Sequence, residues 1–316
     1  MSVELRPATR ADADFMADVR TEEYPDSPTD RAAARLWLAD PTQVWFLSLV
    51  RDDERSIGYA VSQHNHWHQS DDRYANLQVG LLPGYRDASR YEAVYSALEP
   101  TPLADGAEHL LASAREDDDA HMAALLERGY TEERRERFWE LDLVEGADRL
   151  RHMCEQSRRK MRERGITIST LAADTDPEKY TKLHAVSSEG EVDVPSTGTT
   201  VPYGFEGFME WMEAPMIHQD RVWIARAGNH VVGMSMLAYP ERGIVSTDWT
   251  TVARDHRGKG IARALKLETC LQAISHGIDR VRTDNDSKNA PILHLNQDFG
   301  YRHVYDWITF LKPAET

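Results

Sequence analysis

Two segments of the chain repeat one plan. "LLERGYTEERRERFWELDLV", beginning at Leu125, and "LNQDFGYRHVYDWITFLKP", beginning at Leu295, each run from an apolar helix end through a glycine and an aromatic residue into a charged stretch and then an aromatic-rich strand. Gly129 and Gly300 hold the same place in the two, and the displacement relating them also carries Arg86 of "PGYRDASRYEAVYSAL" onto Arg257 of "ARDHRGKGIARALK". One displacement shared by separate stretches indicates duplication, and each copy must then close a core of its own. A chain of 316 residues has room for two domains of ordinary size. The expected division is residues 1–145 for the first copy, a helical linker at 146–165, and 166–316 for the second.

The pattern within each copy mixes strands and helices. In the second, Ile166 to Leu171 reads as a strand and Pro177 to Ser187 as a helix, and Phe205, Phe208, Met209 and Met212 share one helical stripe. "RVWIARA" and "VVGMSMLA" are β-rich runs joined at Gly228-Asn229, a hairpin turn, and "IVSTDWTTV" is a third. Ala264, Leu267, Leu271 and Ile274 mark a helix that starts near Gly258 and stops at Gly277. A strand at Asp279 to Thr283, a helix from Asn289 to Phe299 and two last short strands complete the unit. Ala147 to Arg164 is helical in pattern, and its Arg158, Arg159, Lys160, Arg162 and Arg164 read as a solvated face.

Charge narrows the partners. With 37 basic and 53 acidic residues the net charge is −16, which opposes general binding to nucleic acid or to an anionic membrane. Cys154 and Cys270 form no metal or redox spacing, and the first twenty residues, with Asp12, Asp14 and Asp18, lack the apolar block of a secretory leader. No 18-residue apolar run offers a membrane span. The expectation is a cytoplasmic monomer or homodimer.

The stretch from Val252 carries the chemistry. A strand end, a glycine-rich loop and an immediate helix make an anion site, because the first-turn N–H groups are free and the helix dipole adds positive charge. Gly258 and Gly260 let backbone approach a diphosphate, and Arg257 and Lys259 add charge. GxxxxGK[ST] is absent, and the dinucleotide pattern GxGxxG fails at Arg263. "RGKGIA", with Arg257, Gly260 and Ala262, resembles the R/Q-x-x-G-x-G/A signature of the GNAT family of N-acetyltransferases. "RTDNDSKNAPILHLNQDFGYR" is similar to that family's following strand, Asn-bearing helix and terminal "GF/GY".

The resemblance implies an α/β chain of two tandem GNAT-like domains, each a mostly antiparallel twisted sheet flanked by helices. It implies acetyl-CoA as co-substrate, held by Arg257, Gly258, Lys259, Gly260, Ile261 and Ala262 at its pyrophosphate and by the main chain of Thr250 and Val252 along its pantetheine arm. Asn289 stands where a cofactor contact is usual; it equally suits a helix cap. In the first copy Asp87 stands opposite Gly258, Ser89 opposite Gly260, Tyr91 opposite Ala262 and Asp118 opposite Asn289. Added negative charge and bulk there imply a copy that keeps the fold without the cofactor.

Acetyl transfer needs a neutral amine, and stripping an ammonium of pKa about 10.4 at pH 7 costs about 4.6 kcal/mol. Asp248 is the first candidate base, placed with 250 and 252 on one strand face by the period of two; an ion pair or a bulge is its structural alternative. Glu189, Glu191 and Asp193, in the loop after the first helix, suit either an ammonium or solvent, and Tyr203 completes the acceptor candidates. The family's usual tyrosine acid is replaced by Asn296, which can donate a hydrogen bond to the thioester or sulfur; Tyr203 or Tyr239 could supply a proton instead. His64, His66 and His68 of "HNHWH" could share a strand face, but no further ligand stands at metal spacing, and no metal is expected. The stretch is expected to leave its strand for the loop at Asp71-Asp72. The expected function is transfer of acetyl to a primary amine of a small molecule by direct attack in a ternary complex, since no cysteine lies in the cofactor strand. A non-catalytic acyl-CoA-binding regulator and a protein lysine or N-terminal acetyltransferase are the alternatives.

Overall fold

The computed structural model describes residues 3–40, 42–69 and 72–314. They divide into two compact units, Met1–Arg137 with Ser196–Val201 and Tyr305–Thr316, and Phe138–Pro195 with Pro202–Val304.

In the first unit, β1 (Val3–Pro7) is followed by α1 (Ala13–Glu23), α2 (Arg31–Ala39), β2 (Gln43–Asp52), β3 (Arg55–Asn65) and β4 (Tyr74–Leu81). Then come α3 (Ala88–Leu98), α4 (Pro100–Ala104), β5 (His109–Arg115), α5 (Asp119–Glu127) and β6 (Thr131–Asp142), whose last residues belong to the second unit. Successive pairs from β1 to β4 are antiparallel. The pair β4–β5 is parallel, running only from Tyr74↔His109 to Leu77↔Ala112.

The second unit holds α6 (Ala147–Glu163), β7 (Ile166–Thr170), α7 (Lys179–Val192), α8 (Phe205–Met212), β8 (Trp223–Ala227) and β9 (His230–Ala238). It continues with β10 (Ser246–Val252), α9 (Ile261–Ser275), β11 (Arg280–Asp286) and α10 (Ala290–Phe299), and the chain ends in β12 (Arg302–Pro313). Here β7 to β10 are antiparallel in sequence order, with the β8–β9 hairpin turning at Gly228-Asn229 as its residues dictate. The parallel pair β10–β11 is joined at Ser246↔Arg282 alone. Both units therefore share one plan, an antiparallel run ending in a parallel pair that opens like a V, with a helix crossing between its strands.

Four expectations give way. The last two short strands are one strand, β12, and its Trp307–Pro313 pairs antiparallel with β5 of the first unit. Ile308 and Phe310 enter the core there, beside Leu110, Ala112 and Tyr130. The boundary at 166–316 thus fails at the C-terminal end, because β5 needs a partner and β12 provides its ladder. Nor is 146–165 a linker: Leu150, Met153 and Cys154 of α6 pack on Leu267 and Cys270 of α9, and Met161 packs on Ile261 and Leu265. Its basic face is exposed as expected, yet Arg158 makes a bidentate bond to buried Glu268 at 2.6 and 2.6 Å. Finally, α7 continues to Val192, so Glu189 and Glu191 lie in its last turn rather than in a loop.

The histidine stretch leaves its strand at Asn65, so its three rings share no strand face. His64 is buried, stacked on Trp67 at 3.8 Å, with Nε2 3.0 Å from Asp105. The loop expected at Asp71-Asp72 begins outside the described residues. Among the described residues no helix is long and apolar enough to cross a membrane.

If β12 completes the first unit, Phe310→Ala should destabilise by about 3 kcal/mol and loosen that unit. Hydrogen exchange is expected to quicken in β3 to β5; quickening confined to β8–β10 would place the strand elsewhere.

Candidate active site

Between Val252 and α9 the chain makes one turn of 3-10 helix, Arg254–His256, and then crosses Gly258 at φ +71° and Gly260 at φ +79°. Both values lie in the left-handed region that side chains resist, which is why glycines stand there. A Cβ at Gly258 would meet nothing within 4 Å, and one at Gly260 only the tips of Met161 and Arg164 at 3.8 and 3.9 Å. The concave side of the loop is therefore open. Gly260 caps α9 without any side-chain acceptor. Among the described residues no main-chain or side-chain acceptor takes the N–H groups of Gly258 to Arg263.

The carbonyls of the same loop are tied back. Arg257 Nε donates to the Val252 carbonyl at 2.9 Å, Lys259 Nζ to that of Asp255 at 2.9 Å, and Arg164 of the α6 end to that of Lys259. With the carbonyls held by cations, the amides face outward at the positive end of a 15-residue helix. This geometry suits a diphosphate, and the residues expected to cradle it, from Arg257 to Ala262, do form one loop.

The acidic residues expected at the acceptor site do something else. Asp193, the C-cap of α7, accepts from Arg254 at 2.9 and 2.7 Å and lies 2.6 Å from Arg257. Those arginines, Arg254 first, hold its carboxyl down to about 2. Glu189 accepts the main-chain N–H of Arg254, and Glu191 accepts from Ser187 at 2.9 Å and from the main-chain N–H of Tyr203 at 3.0 Å. Glu189 and Asp193 are thus structural partners of the loop's arginines rather than counter-ions for an amine. Arg254 was not legible as their partner because the pairing joins residues some sixty positions apart.

Asp248 lies at a β-bulge: the pairing of β10 with β9 slips between Thr247↔Leu237 and Trp249↔Met236. The extra residue breaks the period of two, so Asp248 does not share a face with Val252. Val252 packs with Ile261 of α9, whereas Asp248 Oδ2 accepts from Trp211 Nε1 of α8 at 2.9 Å. Its carboxyl reaches solvent but is hemmed in by protein, and that desolvation pushes it up to about 6 against the Trp211 bond, which pulls it down. Trp211 escaped sequence reasoning because it borders the apolar stripe of α8 and reads as core.

The Thr250 hydroxyl is engaged with Ser235, its ladder partner in β9, at 2.8 Å. Asn289 is the N-cap of α10 but makes no side-chain cap bond. Tyr203 is 40% exposed beside the start of α8. Tyr239 is pushed up to about 12, burial outweighing Arg221. Asn296 is completely buried and donates to Asn285 at 2.6 Å; its Oδ1 has no hydrogen-bond partner. Expected as a donor to the thioester, it is closed off from the open side of the loop.

The first unit fills the matching place with its own side chains. Buried Asp118 accepts from Arg86 at 2.8 Å and from the Tyr24 and Tyr91 hydroxyls at 3.2 Å each, and the N–H of His121 donates to it at 3.2 Å. Burial pushes this carboxyl up, and Arg86 and His121 together more than offset it. Asp87 caps α3 by accepting the N–H of Arg90 at 2.9 Å.

Residues 218–303 match the family description "Acetyltransferase (GNAT) domain". No curated protein matches the chain. Among solved structures, a tandem GNAT protein from the clavulanic acid biosynthesis pathway is 17% identical with a TM-score of 0.73, covering 100% of this chain and 99% of its own. A GCN5-related N-acetyltransferase from Sphaerobacter thermophilus is 18% identical with a TM-score of 0.68, covering 98% and 95%. A GNAT-family acetyltransferase from Colwellia psychrerythraea is 12% identical with a TM-score of 0.62, covering 99% and 100%.

Neutralising Asp193 should free Arg257 for an anion. Asp193→Asn is expected to bind inorganic pyrophosphate roughly threefold to tenfold more tightly by calorimetry; weaker binding would mean that Asp193 aims the arginines into the loop. Residues 218–303 thus join the glycine loop and the open V to a match with the acetyltransferase (GNAT) domain, in a chain with the fold of tandem GNAT proteins.

Proposed function

We propose that the second unit transfers acetyl from acetyl-CoA to the primary amine of a small molecule, and that the first unit binds no cofactor. The observation carrying this reading is the run of unoccupied amides from Gly258 to Arg263 beside the opening between β10 and β11. Those amides, with Arg257 and Lys259, would hold the pyrophosphate, and the main chain of Thr250 and Val252 would take the pantetheine arm. The thioester supplies an activated acyl carbon with a thiolate as leaving group.

Asp248 does the proton work in this reading. At pH 7 a carboxyl at about 6 is mostly ionised, so it attracts an ammonium and takes one of its protons, leaving a neutral nitrogen to attack the thioester carbon. The C–N bond forms and the C–S bond breaks; the first proton resides on Asp248, and the second, shed by the acylated nitrogen, passes to the departing thiolate. The sulfur leaves as thiolate, because Asn296 has no proton to give. Attack is direct: Cys154 and Cys270 are both buried, and burial pushes their thiols up to about 12 and about 11, too high for an acyl carrier. A regulatory acyl-CoA binder would share the loop without needing the raised carboxyl.

Acetyl-CoA should bind at one site per chain by calorimetry. Gly260→Val should abolish binding while Ser89→Val leaves it intact, and two equal sites would contradict the reading. With an accepted amine, kcat/KM should fall as pH drops through about 6, where Asp248 takes up its proton. Asp248→Asn should remove that limb and lower kcat by about a hundredfold or more with cofactor affinity unchanged. An unaltered pH profile would eliminate Asp248 as the base.

A further inference from the structure

Around Asp248 the second unit builds an aromatic wall. Trp211 lies 6.5 Å from Trp249 at 70° and 6.0 Å from Phe208. Phe208 in turn lies 6.5 Å from Phe205 and 5.2 Å from His184. The rings thus run from Asp248 through Phe208, itself fully buried, outward to Phe205, which is 45% exposed, and to Tyr203 beside it. At the inner end, Trp249 Nε1 is buried without a hydrogen-bond partner, and Asp248 Oδ1 takes no bond from any described residue.

The charges around this wall are unevenly committed. Glu189, Glu191 and Asp193 are all engaged by the protein's own donors. Glu206, Glu210 and Glu213 recur on the opposite stripe of α8 and are solvent-exposed. Within the wall, Asp248 is the single anion. A site with one anion and several ring faces discriminates: it matches one ammonium, helped by the negative ring faces, and it covers an apolar skeleton. A second ammonium would find no further anion within the wall itself, and sugar hydroxyls would lose water against indole and phenyl surfaces.

We propose that the acceptor is a monoamine on an aromatic skeleton, an arylalkylamine, seated with its nitrogen at Asp248 and its ring along Trp211 and Trp249. This rests on the acetyl-transfer reading above for its chemistry, but binding of the amine tests it separately.

The probes are 2-phenylethylamine, n-butylamine, spermidine and glucosamine, used with the full chain and saturating acetyl-CoA, with free thiol as the readout. The expected kcat/KM for 2-phenylethylamine exceeds each of the others by about tenfold or more. Trp211→Leu should bring the ratio to n-butylamine close to one with acetyl-CoA affinity unchanged, while Trp211→Phe, which keeps a ring, should retain a preference. Spermidine or glucosamine turned over as well as the arylalkylamine would overturn the proposal and leave acetyl transfer standing. If no amine yields thiol, calorimetry decides. Tighter binding of 2-phenylethylamine than of n-butylamine, lost in Trp211→Leu, upholds the site and rejects acetyl transfer; equal or absent binding rejects the site.

Discussion

The site depends on main-chain amides at the start of α9 that the protein leaves unmatched. A helix start normally satisfies such groups with a side-chain cap. Here the cap is Gly260, with no side chain to offer, and the loop's carbonyls are drawn away by Arg257, Lys259 and Arg164. Donors collect on one side and acceptors on the other. Holding them so requires α6, whose Met161 packs under Ile261 and whose Arg164 grips the loop from behind. What reads in sequence as a connection between copies is in the folded chain the backing of the loop.

The first unit shows the same frame without the vacancy. Its parallel strands part after four residue pairs, and Asp118 is buried among its own donors, Arg86, Tyr24 and Tyr91. At the start of α3 the side chain of Asp87 accepts the N–H of Arg90, a cap that Gly260 cannot supply at the start of α9. The duplicated fold thus outlives its site, because the sheet and helices are set by apolar periodicity while the site is set by a few residues at one helix start.

The glycine loop, the strand order and the duplication were legible because each is local: left-handed backbone demands glycine, and periods of two and 3.6 announce strands and helices. Asp248 was found for its residue type, but its direction was not. A bulge shows no sequence signature here, and it turned the carboxyl toward α8 rather than toward the face of Val252. The ends of the chain misled for a similar reason. Pairing of β12 with β5 is a choice between distant partners that no local pattern records. The acidic turn of α7 was read by charge alone, and its arginine partners, Arg254 and Arg257, came from a loop assigned to another task.

Amide resonances report on the central claim most directly. In a nitrogen-15-labelled chain titrated with acetyl-CoA, the signals of Gly258 to Arg263 should shift together and saturate at one equivalent, with those of Ala88 to Tyr91 unmoved. Saturation with the loop's amides unchanged, or with shifts centred on the start of α3, would contradict the account.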